Sequence, residues 1–151
     1  AYEDLSSLPL TRAIVDETLR LYPPVHVFSR QALGDDEISG TRVPRGSFMT
    51  ISSWVLHRHQ LHWKEPDRFD PDRFMPGRSK QVKSFAYIPF GGGRHKCGGN
   101  AFALLQQKAI FSALLRHYTF ELVDESDSYI DDLSGMVLRP QSPCRLRYKR
   151  R

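Results

Sequence analysis

Apolar positions recur at helical spacing from Leu8 to Tyr22, where Leu10, Ile14, Thr18 and Leu21 share one side. Pro9 suits a first helical turn, and Pro23-Pro24 closes the segment. Beyond the prolines, Val25 to Ala32 is apolar and β-prone, and Gly34-Asp35-Asp36-Glu37 is a turn. Glu37 to Val43 predicts a second strand, closed by Pro44-Arg45-Gly46, and Phe48 to Ser53 a third, together a small antiparallel sheet of two hairpins. From Glu65 to Arg78 neither period survives, so that stretch is expected to be ordered irregular chain held by Arg–carboxylate bonds and the rings of Phe69 and Phe74. A polar linker runs from Ser79 to Ala86. Asn100 to His117 is apolar nearly all round, with a narrow polar stripe at Lys108, Ser112 and Arg116, which predicts a long helix buried in a larger body. Tyr118 to Val123, Gly135 to Arg139 and Cys144 to Tyr148 predict strands, with an acidic loop from Asp124 to Asp132.

A chain of 151 residues can form one ordinary domain. No run approaches 18 consecutive apolar residues, so no membrane span is expected within it. It opens on Ala1-Tyr2-Glu3-Asp4-Leu5, with neither Met nor a signal peptide, which suggests a piece of a longer protein. Its two cysteines, Cys97 and Cys144, have unlike surroundings and make no disulfide framework, so a reducing, intracellular setting is expected. Part of the +5 net charge sits in the tail Arg145 to Arg151, read as a solvated terminus. Nucleic-acid binding would call for aromatics interleaved with Arg and Lys on one face; the aromatics fall instead between Glu65 and Arg78 and in the long helix, so no nucleic-acid partner is expected. His57, His59 and His62 form H-x-H-x-x-H, which lacks the Cys or carboxylate partner of a zinc site, and are read as surface and packing residues.

The chemistry concentrates in Phe90-Gly91-Gly92-Gly93-Arg94-His95-Lys96-Cys97-Gly98-Gly99. Three glycines before Cys97 let the backbone approach a flat ligand closely, and Gly98 and Gly99 keep the far side of the sulfur clear. Cys97 precedes the helix that starts at Asn100, where free backbone N–H groups and the helix dipole favour a negative sulfur, either a nucleophile or a metal ligand. A phosphate-binding loop would need G-x-x-x-x-G-K-[ST], but Cys97 follows Lys96.

Phe90, Gly93, His95, Cys97, Gly99 and Ala103 fit F-x-x-G-x-[RH]-x-C-x-G-x-x-x-A, and on that pattern the chain resembles the C-terminal part of the cytochrome P-450 family. The resemblance implies an α+β arrangement over residues 1–151, part of one mainly helical haem domain, with small antiparallel sheets, a meander and a cysteine loop leading into a long buried helix. It implies haem b (iron-protoporphyrin IX) with Cys97 as axial iron ligand, tuned by the backbone N–H groups of Gly98, Gly99 and Asn100. Phe90, Gly91, His95, Gly99 and Ala103 would surround the haem, with His95 and Arg30 meeting its propionates. Glu17-Thr18-Leu19-Arg20 resembles the family's E-x-x-R helix, and Pro66 to Phe74 its P-x-x-F-x-P-x-R-F meander, so that Arg73 would reach Glu17 and Arg20 in a buried structural cluster. Val25, His26, Val27 and Phe28, with Met136 and Val137, would line the substrate pocket.

The cysteine loop, Gln107 to Arg116 and the ending Arg147-Tyr148-Lys149-Arg150-Arg151 are similar to the sterol 14-demethylase branch. That similarity implies oxidative removal of the 14-alpha methyl group of a sterol precursor, with dioxygen and electrons from a ferredoxin or an NADPH-dependent reductase. A cytochrome P-450 acting on another hydrophobic substrate and a haem-binding sensor or transfer module are the alternatives. The family's oxygen-activating helix would lie upstream of this chain. The protein would be cytoplasmic if bacterial, and anchored in a membrane through an upstream segment if eukaryotic.

Overall fold

The computed structural model describes residues 5, 7–125 and 129–151. Helix α1 spans Pro9–Leu21 and carries a proline in its first turn, where a missing N–H costs nothing. Its buried face is not the apolar stripe that spacing suggests. Leu10 and Ile14 are exposed, while Ala13, Asp16, Glu17 and Arg20 are buried together with Val15, Leu19 and Leu21. Charge goes inward here because the charged groups bond to one another and to main-chain atoms, which removes the desolvation penalty that a lone charge would meet.

After the double proline, β1 (Val27–Gln31) pairs antiparallel with β4 (Phe48–Ser52), in a register running from Val27 opposite Ser52 to Gln31 opposite Phe48. The run expected as a single central strand divides instead into β2 (Asp36–Ile38) and β3 (Thr41–Val43), a separate hairpin between the two. Ser39 and Gly40 both take positive φ, at 50° and 80°, the pattern of a tight hairpin turn that reverses the chain mid-run. Ser52 ends β4 and caps the single turn α2 (Ser53–Leu56), its side chain accepting from the Val55 N–H at 3.2 Å.

The meander from Glu65 to Arg78 is ordered, with one 3₁₀ turn at Pro71–Phe74 capped by the Asp70 side chain. Phe74 packs against Trp63 and Tyr87, with ring centroids 6.0 and 4.8 Å away, whereas Phe69 stays half exposed. Helix α3 (Asn100–His117) has the expected length, but among its residues none is buried. Lys108, from its polar stripe, donates to the carbonyl of Leu5, ahead of α1, at 2.8 Å. At the end of the chain β5 (Tyr118–Leu122) pairs with β8 (Leu146–Arg150), and β6 (Asp131–Asp132) with β7 (Arg139–Pro140). Part of the expected acidic loop is therefore strand, part is Asp124 gripped by Arg145, and residues 126–128 lie outside the described residues. The strand expected over Gly135 to Arg139 is mostly bends, with ladder pairing only at its end. Among the described residues, no helix is long and apolar enough to cross a membrane.

Candidate functional site

The cysteine loop is closed by its own main chain. The Cys97 N–H donates to the Phe90 carbonyl at 2.9 Å, the Gly91 N–H to Ile88 at 3.0 Å, and a 3₁₀ turn at Gly93–His95 lies between them. Gly91 and Gly93 have φ of +72° and +64°, a region costly for any residue with a Cβ. A Cβ at Gly92 would come within 2.9 Å of the Phe85 ring. On the other side of the sulfur a Cβ at Gly99 would touch Sγ at 3.7 Å, whereas one at Gly98 would meet nothing, so of this pair only Gly99 keeps space clear beside Cys97.

The loop forms one wall of a largely apolar cavity of about 420 Å³. Phe90, Gly91, His95 and Cys97 face it from the loop, Ala103 and Gln107 from α3, Leu19 from α1, and Val25, Phe28 and Arg30 from β1 and the residues leading into it. The Cys97 thiol is free and exposed. Arg30 folds over the Phe28 ring, 5.1 Å from its centroid, and donates to the Ser29 carbonyl at 2.9 Å. Gln107 borders both this cavity and a second cleft of about 210 Å³ between α1 and α3, and its Oε1 is buried without a hydrogen-bond partner.

Eight of the residues singled out from the sequence therefore meet in one place: Val25, Phe28, Arg30, Phe90, Gly91, His95, Cys97 and Ala103. His26, Val27, Gly99, Met136 and Val137 do not line the cavity. The period of two begins only at Val27, which therefore points away from the side Phe28 takes. His26 lies before the strand and is buried, with its Nδ1 unpaired and its carbonyl accepting from Trp54 and Ser52. Met136 and Val137 are exposed in the bends before β7, although the next residue, Leu138, donates to the Pro24 carbonyl at 2.8 Å and so tethers that segment beside the double proline.

Behind the cavity the charged cluster is present. Arg20 donates to both carboxylate oxygens of Glu17, at 2.7 and 2.8 Å, and both side chains are fully buried. Its remaining donors go to the carbonyls of His57 (2.8 Å), Pro66 (2.6 Å) and Arg68 (3.1 Å), and the Trp63 ring lies 5.0 Å from the guanidinium. Glu17 also accepts from the Asp70 N–H at 2.8 Å. Arg73 joins as an ion pair, its Nε 3.4 Å from Glu17 without hydrogen-bond alignment, while its Nη2 donates to the Glu65 carbonyl at 2.9 Å.

Sequence reasoning read His57 only as one of three surface and packing histidines and gave Tyr87 no role. His57 is fully buried, with Nδ1 3.2 Å from the Arg20 carbonyl and Nε2 2.8 Å from the Ile88 nitrogen. Burial pulls its pKa down to about 4, with the Arg20 and Arg58 charges adding to the effect, so it is neutral. Residue type does not separate it from His59 and His62, which stay exposed with their rings 5.5 Å apart; only its place straight after the capped turn α2 distinguishes it. The Tyr87 hydroxyl lies 3.0 Å from the Asp16 carbonyl and 3.1 Å from its carboxylate, and burial, together with that carboxylate, raises the pKa of the phenol.

Among the described residues, no group of three or more His, Cys, Asp or Glu is placed to hold a bare metal ion. One thiol on an apolar wall, with a guanidinium and an imidazole at the same cavity, instead suits a metal that arrives in a flat apolar ring with anionic edges. The residues present thus fit a haem.

The comparisons with known proteins agree. The family model described as Cytochrome P450 matches residues 1–148, and the chain belongs to that family, whose cofactor is haem, iron-protoporphyrin IX. The whole chain is 38% identical to 34% of the sterol 14alpha-demethylase of Mycobacterium tuberculosis (strain ATCC 25618 / H37Rv). It is 37% identical, over 99% of its length, to 29% of the human lanosterol 14-alpha demethylase. Among solved structures, the haem domain of cytochrome P450DA superposes with a TM-score of 0.89 at 29% identity, over all of this chain and 33% of that one. The chain thus spans about a third of the length of the curated relatives it matches.

Proposed function

We propose that the protein is a haem-thiolate monooxygenase in which Cys97 supplies the axial ligand. The observation that carries this reading is the meeting, in one apolar cavity, of the Cys97 thiol with Arg30, His95 and the side chains of Phe90 and Ala103. In this reading Leu19, Val25, Phe28, Phe90 and Ala103 pack against the ring and exclude water, while Arg30 and His95 hold its carboxylates by charge-assisted hydrogen bonds. When bound, a thiolate-ligated haem supplies activation of dioxygen for insertion of one oxygen atom into a C–H bond, using electrons delivered by a ferredoxin or an NADPH-dependent reductase. Glu17, Arg20 and Arg73 do no chemistry; they hold the meander and α1 in place behind the cavity.

The substrate we propose is a sterol precursor that loses its 14-alpha methyl group. It is supported by identities of 38% and 37% to proteins named as sterol and lanosterol 14-demethylases, from a bacterium and from a primate. A second reading, oxidation of another hydrophobic compound, is supported by 35% identity to cytochrome P450 4V2 of Pongo abelii.

The test is the spectrum of the natural protein that carries this chain, reduced and exposed to carbon monoxide. A strongly red-shifted Soret band that Cys97→Ser abolishes supports thiolate ligation; a protein that takes up no haem sinks the reading. Titration of the oxidised protein with a 14-alpha-methyl sterol should then shift its Soret band. A shift with non-sterol lipids alone moves the assignment to the second reading.

A further inference from the structure

His57 is fully buried, lines no wall of the haem cavity, and joins the two halves of the site through main-chain atoms. An amide N–H only donates, so the Ile88 N–H, 2.8 Å from Nε2, requires that nitrogen to be bare. The ring proton is then on Nδ1, which donates to the Arg20 carbonyl at 3.2 Å. Arg20 is locked to Glu17 and grips the His57 carbonyl in return, so α1 holds residue 57 both by its ring Nδ1 and by its main chain. On the far side, Ile88 stands two residues before Phe90. Its carbonyl receives the Gly91 N–H at 3.0 Å, and Phe90 in turn receives the Cys97 N–H at 2.9 Å. A short relay of main-chain hydrogen bonds thus runs from α1 through the His57 ring to the cysteine.

We propose that His57 is a positioning residue for the Cys97 ligand: its imidazole acts as a strut that sets the height of the cysteine loop against α1, and so of the sulfur against the cavity. The inference rests on the reading of Cys97 as the haem ligand. A buried histidine serving only to fill space would have no need of both nitrogens. Here each meets a different segment, one on the helix behind the cavity and one on the chain entering the loop.

Two polar replacements separate positioning from filling. In His57→Asn the amide reaches no further than Nδ1, so it can meet Arg20 but not Ile88; in His57→Gln the longer side chain brings an acceptor to the level of Nε2. The experiment uses the haem-loaded natural protein that carries this chain. It follows the red-shifted Soret band of the reduced carbon monoxide complex over time under gentle heating, with far-UV circular dichroism recorded in parallel. We expect His57→Asn to lose the band about tenfold faster than the unsubstituted protein while its helix signal persists, as for one buried hydrogen bond removed. His57→Gln should stay within about twofold of the unsubstituted protein. Equal rates for the two variants, or loss of the band only together with the helix signal, would overturn the strut. Absence of the red-shifted band in the unsubstituted protein would instead overturn the reading of Cys97, and this inference with it.

Discussion

Arg20 holds both carboxylate oxygens of Glu17, at 2.7 and 2.8 Å, with neither side chain exposed to solvent. Planar bidentate geometry of this kind is available to a guanidinium and not to an ammonium. Arg20→Lys should therefore fail as a replacement, since it loses the fork to Glu17 and most of the contacts to Pro66 and Arg68 together. Arg20→Ala and Glu17→Ala each leave a buried charge unpaired and should cost about 3–5 kcal/mol, read from denaturant unfolding of the protein that carries this chain. Arg73→Ala should cost less, because its pairing to Glu17 is the longer one, at 3.4 Å.

Stability should fall on mild acidification because of His57. Its folded-state pKa of about 4 lies below the ordinary 6.5, so between those values the unfolded chain binds a proton that the folded chain refuses. The contribution is complete above pH 6.5 and is lost as pH falls toward 4, with a span of about 3 kcal/mol. Unfolding free energies measured across that window should show a shallower slope in His57→Gln than in the unsubstituted protein. Equal slopes would mean that the imidazole is not held neutral.

The cysteine loop should reject side chains at two neighbouring glycines for different reasons. Gly91→Ala forces a Cβ onto a φ of +72° and should cost about 1–2 kcal/mol. Gly92→Ala meets the exposed Phe85 ring at 2.9 Å, which can swing aside. The double variant with Phe85→Ala should recover most of the loss at Gly92 and none at Gly91. Melting temperatures of the unsubstituted protein, the three single variants and the two double variants decide this.

Arg30→Ala should release haem about tenfold faster, as expected for a lost hydrogen bond to a charged group, with Arg30→Lys intermediate. Transfer of haem to an apo-globin acceptor gives the rates. No change in Arg30→Ala would remove this residue from the cofactor's surroundings.

Much of the site was legible before the structure because its signals are local. The glycine and cysteine spacing between Phe90 and Ala103 points to five loop residues and one helix residue, and all of them but Gly99 line the cavity. Glu17, Arg20 and Arg73 were also recognisable, as fragments of two motifs, and they do meet. Where the reading failed, the deciding contact was distant in sequence or the backbone changed state within a residue. Taking Val25 to Phe28 as one lining block overlooked that the strand starts at Val27, so His26 turns inward and Val27 away. The single central strand became a hairpin because Ser39 and Gly40 adopt positive φ, a choice that Ser39 does not advertise. Helix α1 looked amphipathic in the ordinary sense, yet its buried side carries Glu17 and Arg20, whose partners lie about 40 to 50 residues further along. His57 was invisible for the same reason: its role depends on Arg20 and Ile88, 37 and 31 residues away.

The grip on the meander has a bearing on how this segment tolerates sequence drift. Arg20 takes the peptide carbonyls of Pro66 and Arg68, and Glu17 takes the peptide amide of Asp70. None of those bonds involves a side chain of the meander, so residues 66 and 68 are free to change identity provided the backbone follows the same path. Residue 70 is freer in one respect and more restricted in another: any amino acid with an N–H can satisfy Glu17, and proline cannot. The clamp recognises a trajectory, and proline at position 70 is the one substitution along it that would silence a contact without altering a single side chain of the cluster.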